Sequence, residues 1–341
     1  MTLTHSPRIR PALAGLAAGA LLLAACSSPG SPSGSVASLT GTLTISGSST
    51  VEPITSIVAE DFKAANPDVS YSVDGPGTGD GFALFCDGET DISDASREIK
   101  DEEATLCADN GINFVGLKVG IDGLSVMTSP ANDAVNCLSF LDLYALLGPE
   151  SQGLDTWSAA NDLATELGSL SGFGTSQAPY PDAPLDVTAP GEESGTYDSF
   201  VELAIAGIAG EREQDAVTRP DYTASGDDNV IVAGIAGSDS SLGWVGFAFA
   251  DQNTDTVKSL EVDGGDGCVA PTPETIASGD YPLSRPLFIY VNTDKAAASP
   301  ALAAFVDYYL SDTGIAAVTE ADYVALDSDE LAATRTAWDD H

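Results

Sequence analysis

Histidine is almost missing from this chain: His5 and His341, near the two ends, are its only examples. A fold built without imidazole has no ready general base for a serine or threonine nucleophile. No Ser-x-x-Lys pair, no Gly-x-Ser-x-Gly elbow and no Gly-x-x-x-x-Gly-Lys-Ser/Thr loop fills the gap. Cysteine is sparse and scattered, at Cys26, Cys86, Cys107, Cys137 and Cys268, with no two at the Cys-x-x-Cys spacing of a zinc site. The expectation is a protein that is not an enzyme and carries neither metal nor cofactor. A secreted hydrolase or phosphatase is the weak alternative.

Positive charge is equally scarce. Twelve Lys and Arg stand against 52 Asp and Glu, a formal net charge of −40. Nucleic acid and anionic membrane surfaces are thereby excluded as partners. The acid is mixed with apolar segments along the chain, which fits a solvated surface on a globular protein better than disorder.

Also missing is an apolar run long enough for a membrane span. The longest, Ala12 to Ala25, has 14 residues, and a bilayer takes about 20. It follows Arg8 and Arg10 and ends in Leu23-Ala24-Ala25-Cys26, so residues 1–25 read as a signal peptide. Its last four residues resemble a lipobox, the bacterial lipoprotein signal, which makes Cys26 the expected lipid-modified first residue. The two acyl chains of a diacylglyceryl thioether suffice for stable anchoring. The mature chain would have 316 residues and a formal charge of −42. Residues 26–40, rich in Ser, Pro and Gly, read as a flexible tether. The four remaining cysteines favour disulfides in an exported protein, with about three possible connectivities. Cys86 and Cys107 flank one compact unit, so the expected pairs are Cys86 with Cys107 and Cys137 with Cys268.

What the chain does have is a local arrangement that recurs at three distant places. Ser46-Gly47-Ser48-Ser49-Thr50, Gly75-Pro76-Gly77-Thr78-Gly79 and Glu193-Ser194-Gly195-Thr196 are short hydroxyl- and glycine-rich turns that lead into helix-like segments. The first turn of a helix leaves backbone N–H groups unpartnered and carries partial positive charge, and nearby hydroxyls add donors. Three such starts aimed at one point would hold a tetrahedral oxyanion. Any one of them alone is more simply an N-cap.

Around these turns, strands and helices alternate. Thr42–Ile45 reads as a strand, Ile54, Ile57, Val58 and Phe62 fall at helical spacing, and Val69–Val73 reads as the next strand. A helix is expected around Phe82–Phe85 and a strand at Thr90-Asp91-Ile92. The pattern predicts α/β layers. Ile121–Met127 and Pro286–Val291 look like two strands that cross between lobes, and a C-terminal helix through Leu302, Phe305, Val306 and Tyr309 returns to the first lobe.

In order, these motifs resemble those of the PstS family, the phosphate-binding proteins of bacterial ABC importers. The matching runs are Ile45–Pro53, Gly77–Phe82, Gly88–Arg97, Gly191–Tyr197 and Tyr281–Leu287. The resemblance implies a type II, two-lobed periplasmic-binding-protein-like α/β fold with its ligand in the cleft between lobes. Lobe 1 would comprise residues 41–124 plus 289–341, and lobe 2 residues 125–288. The implied function is high-affinity extracellular binding of inorganic phosphate and delivery to an ABC permease whose separate subunits hydrolyse ATP. The protein would be a monomer, held by lipid to the outer face of the cytoplasmic membrane.

Carried over by position, the resemblance puts Ser49, Thr50 and the Val51 N–H on the anion from the first turn. Thr78 comes from the second, and Ser194, Gly195 and Thr196 from the opposite lobe. Asp91 matches a carboxylate acceptor, which would favour a protonated phosphate over sulfate. Many members carry an arginine where this chain has Pro190, so the cation is expected from Arg97, paired to Asp91, with Arg219 in reserve. Other readings within the same class are a receptor for arsenate, sulfate, molybdate or a phosphonate, and a phosphate sensor. A structural lipoprotein would need no cleft.

Overall fold

The computed structural model describes residues 38–192 and 194–341. The signal segment, Cys26 and most of the tether lie outside them. The first half alternates as its apolar spacing demands. Strand β1 (Gly41–Gly47) buries Leu43 and Ile45. Helix α1 (Glu52–Ala65) starts with Pro53 in its first turn and buries Ile54, Val58 and Phe62 along one stripe. Then follow β2 (Val69–Asp74), α2 (Thr78–Cys86), β3 (Ile92–Ala95) and α3 (Asp101–Asp109).

Both β2 and β3 run parallel to β1. All three therefore deliver their C-terminal ends to one edge of the sheet, where the turns that follow them gather. Strand β3 begins two residues later than the sequence suggested. It buries all four of its residues, Asp94 among them, and an acid inside a strand hides the apolar signal that would have located it.

The long strand β4 (Phe114–Thr128) is buried at almost every position beyond Leu117. It pairs antiparallel with β6 (Ser284–Asn292), and on its other side with β5 (Gly243–Gly246). The order across this sheet is β2-β1-β3-β6-β4-β5, with a short strand at Lys258–Ser259 also joined to β4.

Two large apolar cores form, and β4 contributes to both, while β6 contributes to one and the residues just before it to the other. One gathers Leu43, Ile45, Ile54, Val58 and Phe62 with Leu302, Phe305 and Tyr309 of helix α6 (Pro300–Tyr309). The other gathers Leu143 and Tyr144 of helix α4 (Phe140–Leu147) with Trp157, Phe200 and Trp244. Along β4, Val119 belongs to the first core and Ile121 to the second; along the chain into β6, Leu283 belongs to the second and Leu287 to the first.

Disulfides join Cys86 to Cys107 and Cys137 to Cys268, the pairing expected from the sequence. The first ties the end of α2 to α3, and the second closes a three-stranded patch of Cys137–Ser139, Glu261–Asp263 and Cys268–Val269. Among the described residues, no helix is long and apolar enough to cross a membrane.

Candidate functional site

The three turns meet where the strands end. Gly47 closes β1 at a φ of 152°, with its Cα against the Asp94 backbone of β3; a side chain there would come within 2.0 Å of the Asp94 carbonyl oxygen. The Ser48 N–H donates to that carbonyl at 2.8 Å, and the Gly77 N–H donates to the Gly47 carbonyl at 2.8 Å. Gly81, in the first turn of α2, leaves so little room that a Cβ would lie 2.4 Å from Gly47 Cα. Glycines at these two positions let the start of α2 press against the end of β1.

Each start has its own donors. Thr78, the first residue of α2, accepts from the Ser96 N–H at 3.2 Å and lies 3.0 Å from the Ser96 hydroxyl, just past the end of β3. Ser194 caps helix α5 (Gly195–Phe200), its Oγ accepting from the Thr196 N–H at 3.2 Å. The Ser49, Thr78, Gly79 and Gly195 N–H groups have no partner among the described residues, as first turns require. A Cβ on Gly195 would be 4.0 Å from the Ser49 carbonyl oxygen and 3.7 Å from the Tyr323 hydroxyl. The first and third starts therefore face each other.

Side chains close the gap between the two cores. Ser49 Oγ stands 3.5 Å from Asp198 Oδ2 and Thr50 Oγ1 stands 3.4 Å from Ser199 Oγ. Between them lies Arg285 of β6, 7% exposed. Its Nη2 donates to Thr50 Oγ1 and to Ser199 Oγ, both at 3.0 Å, its Nη1 to Glu202 Oε2 at 2.5 Å and its Nε to Asp122 Oδ2 at 3.2 Å. Burial opposes the guanidinium's charge, but Asp122 and Glu202 outweigh it and hold Arg285 above its ordinary value. Burial also pushes the Asp198 carboxyl up, and the Glu202 charge adds to this, against the Ser49 hydrogen bond and Arg285.

Three expectations from the sequence are corrected. Asp91 precedes β3, so it sits at the opposite edge of the sheet from Thr50 and Thr78, with the length of the strand between; at about 3.3 Å per residue that is roughly 15 Å. Its Oδ2 accepts from the Thr44 N–H at 2.9 Å and its Oδ1 pairs with Lys295 Nζ at 3.1 Å. Arg97 forms no pair with Asp91. It gives two N–H bonds to Glu103, at 2.8 and 2.7 Å, and its guanidinium lies over the Phe82 ring. Glu103 holds it because the same carboxylate also accepts from the Lys100 N–H at the start of α3. The Val51 N–H closes its own turn on the Ser48 carbonyl at 3.2 Å.

Arg219 is buried and committed elsewhere, donating to Asp221 at 2.7 Å and to the Leu154 carbonyl at 2.7 Å. The residues brought together are Ser49, Thr50, Thr78, Ser194, Gly195 and Thr196. Asp198, Ser199 and Arg285 join them without having been singled out. Arg285 was within the run Tyr281–Leu287, and a buried position on a crossing strand is an uncommon use of one of only 12 cations. Asp198 and Ser199 lie one helical turn beyond Ser194 and Gly195, so they share the face of α5 that its start presents.

Comparison with known proteins follows the same lines. A family model described as a PBP superfamily domain matches residues 33–313. Protein SphX of Synechocystis sp. is 40% identical over 285 residues, covering 83% of this chain and 78% of SphX. The phosphate-binding protein PstS of Staphylococcus epidermidis is 32% identical over 308 residues, covering 89% of this chain and 85% of its own. Among solved structures, the crystal structure of a possible phosphate-binding protein from Planctomyces limnophilus superposes with a TM-score of 0.79 at 35% identity. It covers 89% of this chain and 99% of that one.

Proposed function

The chain belongs to the PBP superfamily and, within it, to the PstS family of phosphate-binding proteins, and from that membership we propose that it binds inorganic phosphate outside the cell and delivers it to the permease of an ABC importer. The observation that carries the proposal is the meeting of three hydroxyl-rich helix starts at one edge of the sheet, with Arg285 joining Thr50 to Ser199 across the two cores. Partial positive charge from the helix starts, donors from Ser49, Thr50, Thr78, Ser194, Gly195 and Thr196, and one buried guanidinium suit a small tetrahedral oxyanion.

Asp198 takes the part first expected of Asp91. Its carboxylate faces the same gap, 3.5 Å from Ser49 Oγ, and is an acceptor that a protonated phosphate satisfies and sulfate does not. A hydrogen bond to a charged group is worth about 1.5–3 kcal/mol, and two acceptors left facing each other cost a comparable amount.

The ligand would touch both cores, so it favours the conformation in which they approach, with residues 41–124 plus 289–341 as one lobe and 125–288 as the other. Lipid on Cys26, supported by Leu23-Ala24-Ala25-Cys26, would keep a monomeric receptor at the outer face of the cytoplasmic membrane. The chain's part is binding and handing over, with the energy supplied by ATP hydrolysed on other subunits.

The test is titration calorimetry of the phosphate-stripped protein with phosphate, sulfate and arsenate, repeated on Asp198→Asn. Tight one-to-one phosphate binding that excludes sulfate is expected, with the exclusion relaxed by about 10-fold or more in Asp198→Asn. Absence of phosphate binding overturns the proposal.

A further inference from the structure

Arg285 reaches the gap already committed on most sides. Of its five N–H groups one goes to Asp122, one to Glu202, one to Thr50 Oγ1 and one to Ser199 Oγ. A hydroxyl that accepts from a guanidinium keeps its own proton for another acceptor. Thr50 Oγ1 and Ser199 Oγ are 3.4 Å apart and have no other side-chain or backbone partner among the described residues. At most one of their two protons is spent between them, so at least one O–H is left without an acceptor. Both hydroxyls are buried, Ser199 completely, where an unspent donor is costly. The fifth N–H of Arg285, on Nη1, adds another donor without a partner among the described residues.

Thr50 stands at the start of α1 on the first core, and Ser199 lies on α5 beside Phe200 of the second. Arg285 itself lies between Leu283 of the second core and Leu287 of the first. It is held there by two carboxylates that leave its fork no freedom to turn.

Resting on the phosphate reading above, we infer that Arg285 is the positioning residue of the site: it fills one acceptor lone pair on each of Thr50 and Ser199, so that their protons are aimed at a shared oxyanion, and Ser199 is a ligand donor that the sequence motifs do not contain. The guanidinium works through the two hydroxyls, and its planar fork is what lets one nitrogen hold both. A lysine at this place would supply the charge as a point and hold neither orientation.

The experiment is calorimetric titration of the stripped protein with inorganic phosphate for wild type, Ser199→Ala, Thr50→Val, Arg285→Gln, Arg285→Lys and the double variant Arg285→Gln with Ser199→Ala, with the melting temperature of each ligand-free form measured alongside. Ser199→Ala is expected to weaken phosphate binding about 10- to 100-fold, the worth of one hydrogen bond to a charged group, at an unchanged melting temperature. Arg285→Gln is expected to weaken it at least as much, Arg285→Lys to restore little of the loss, and the double variant to bind no worse than Arg285→Gln alone. Wild-type affinity in Ser199→Ala, full rescue by Arg285→Lys, or losses that simply multiply in the double variant each overturn the inference while leaving the phosphate reading intact. If the Arg285 variants do not fold, Ser199→Ala decides, since it removes one oxygen and leaves the Asp122 and Glu202 pairs in place. No binding of phosphate by the wild-type chain overturns the functional reading and this inference with it.

Discussion

Asp94 lies beneath the first helix start, fully buried, with one carboxyl oxygen accepting from Thr55 Oγ1 at 3.0 Å and the other without a partner among the described residues. Burial above all, with the nearby Glu52 charge adding and the Thr55 hydrogen bond opposing, pushes its pKa up to about 8 from an ordinary 3.8. The folded protein therefore holds this acid protonated where the unfolded chain has already ionised it. A raised carboxyl pKa contributes stability that is complete below 3.8 and is lost as pH climbs through about 8. Between pH 5 and 9 the wild type is expected to melt at progressively lower temperature, and Asp94→Asn, neutral throughout, to lose less. Parallel melting curves for the two proteins across that range remove Asp94 from the explanation. The Tyr309 hydroxyl, 3.2 Å from Thr55 Oγ1, stays protonated because burial and Asp94 both push it up. Asp94 carries no mark in the sequence: an aspartate between Ser93 and Ala95 looks like any surface acid until β3 is seen to be buried on both faces.

At the scale of elements, the strand, turn and helix units were legible wherever apolar spacing and a hydroxyl-rich turn agreed, as in β1 with α1 and β2 with α2. They were illegible where function or burial broke the pattern. Setting a strand at Thr90–Ile92 moved Asp91 toward the ligand edge, and the true span of β3 puts Ser96 there instead. Likewise the helix that opens at Gly195 widens to a π-helical stretch over Val201–Ile205, which periodicity does not announce. The expected pairing of Cys86 with Cys107 does set α2 against α3. The Cys86–Cys107 bond closes a loop 21 residues apart in sequence and ties the helix that presents Thr78 to α3. Chain-entropy arguments assign such a closure about 3 kcal/mol. Replacing both cysteines by serine is expected to lower unfolding free energy by about 2–4 kcal/mol in denaturant titration, with phosphate affinity weakened less than by any change at Thr50. An unchanged unfolding midpoint means that α2 is held without the disulfide, by the packing of Phe82 and Phe85 and the contacts of Gly77 and Thr78.

For the whole molecule, charge and ligand pull in opposite directions. A chain with 12 cations and 52 acids repels a phosphate at long range, and the site's local field has to overcome this only at short range. Within the site Arg285 is matched by Asp122 and Glu202, and outside it Arg97 is matched by Glu103, so no surplus positive charge reaches outward and the attraction comes from oriented N–H and O–H dipoles. Dipole fields fall off faster with distance than the monopole field of the whole surface. Salt screens the surface over a Debye length of about 30 Å at 0.01 M and about 8 Å at 0.15 M, while contacts inside the gap are barely screened. Phosphate association is therefore expected to speed up as potassium chloride rises through this range, with dissociation nearly constant, when followed by stopped-flow tryptophan fluorescence; Trp244, stacked on Phe200 of α5, supplies an internal reporter. An association rate that falls with salt would place an attractive field at the mouth of the site, and would mean that Arg97 or Arg285 is freed from its carboxylates before the anion arrives.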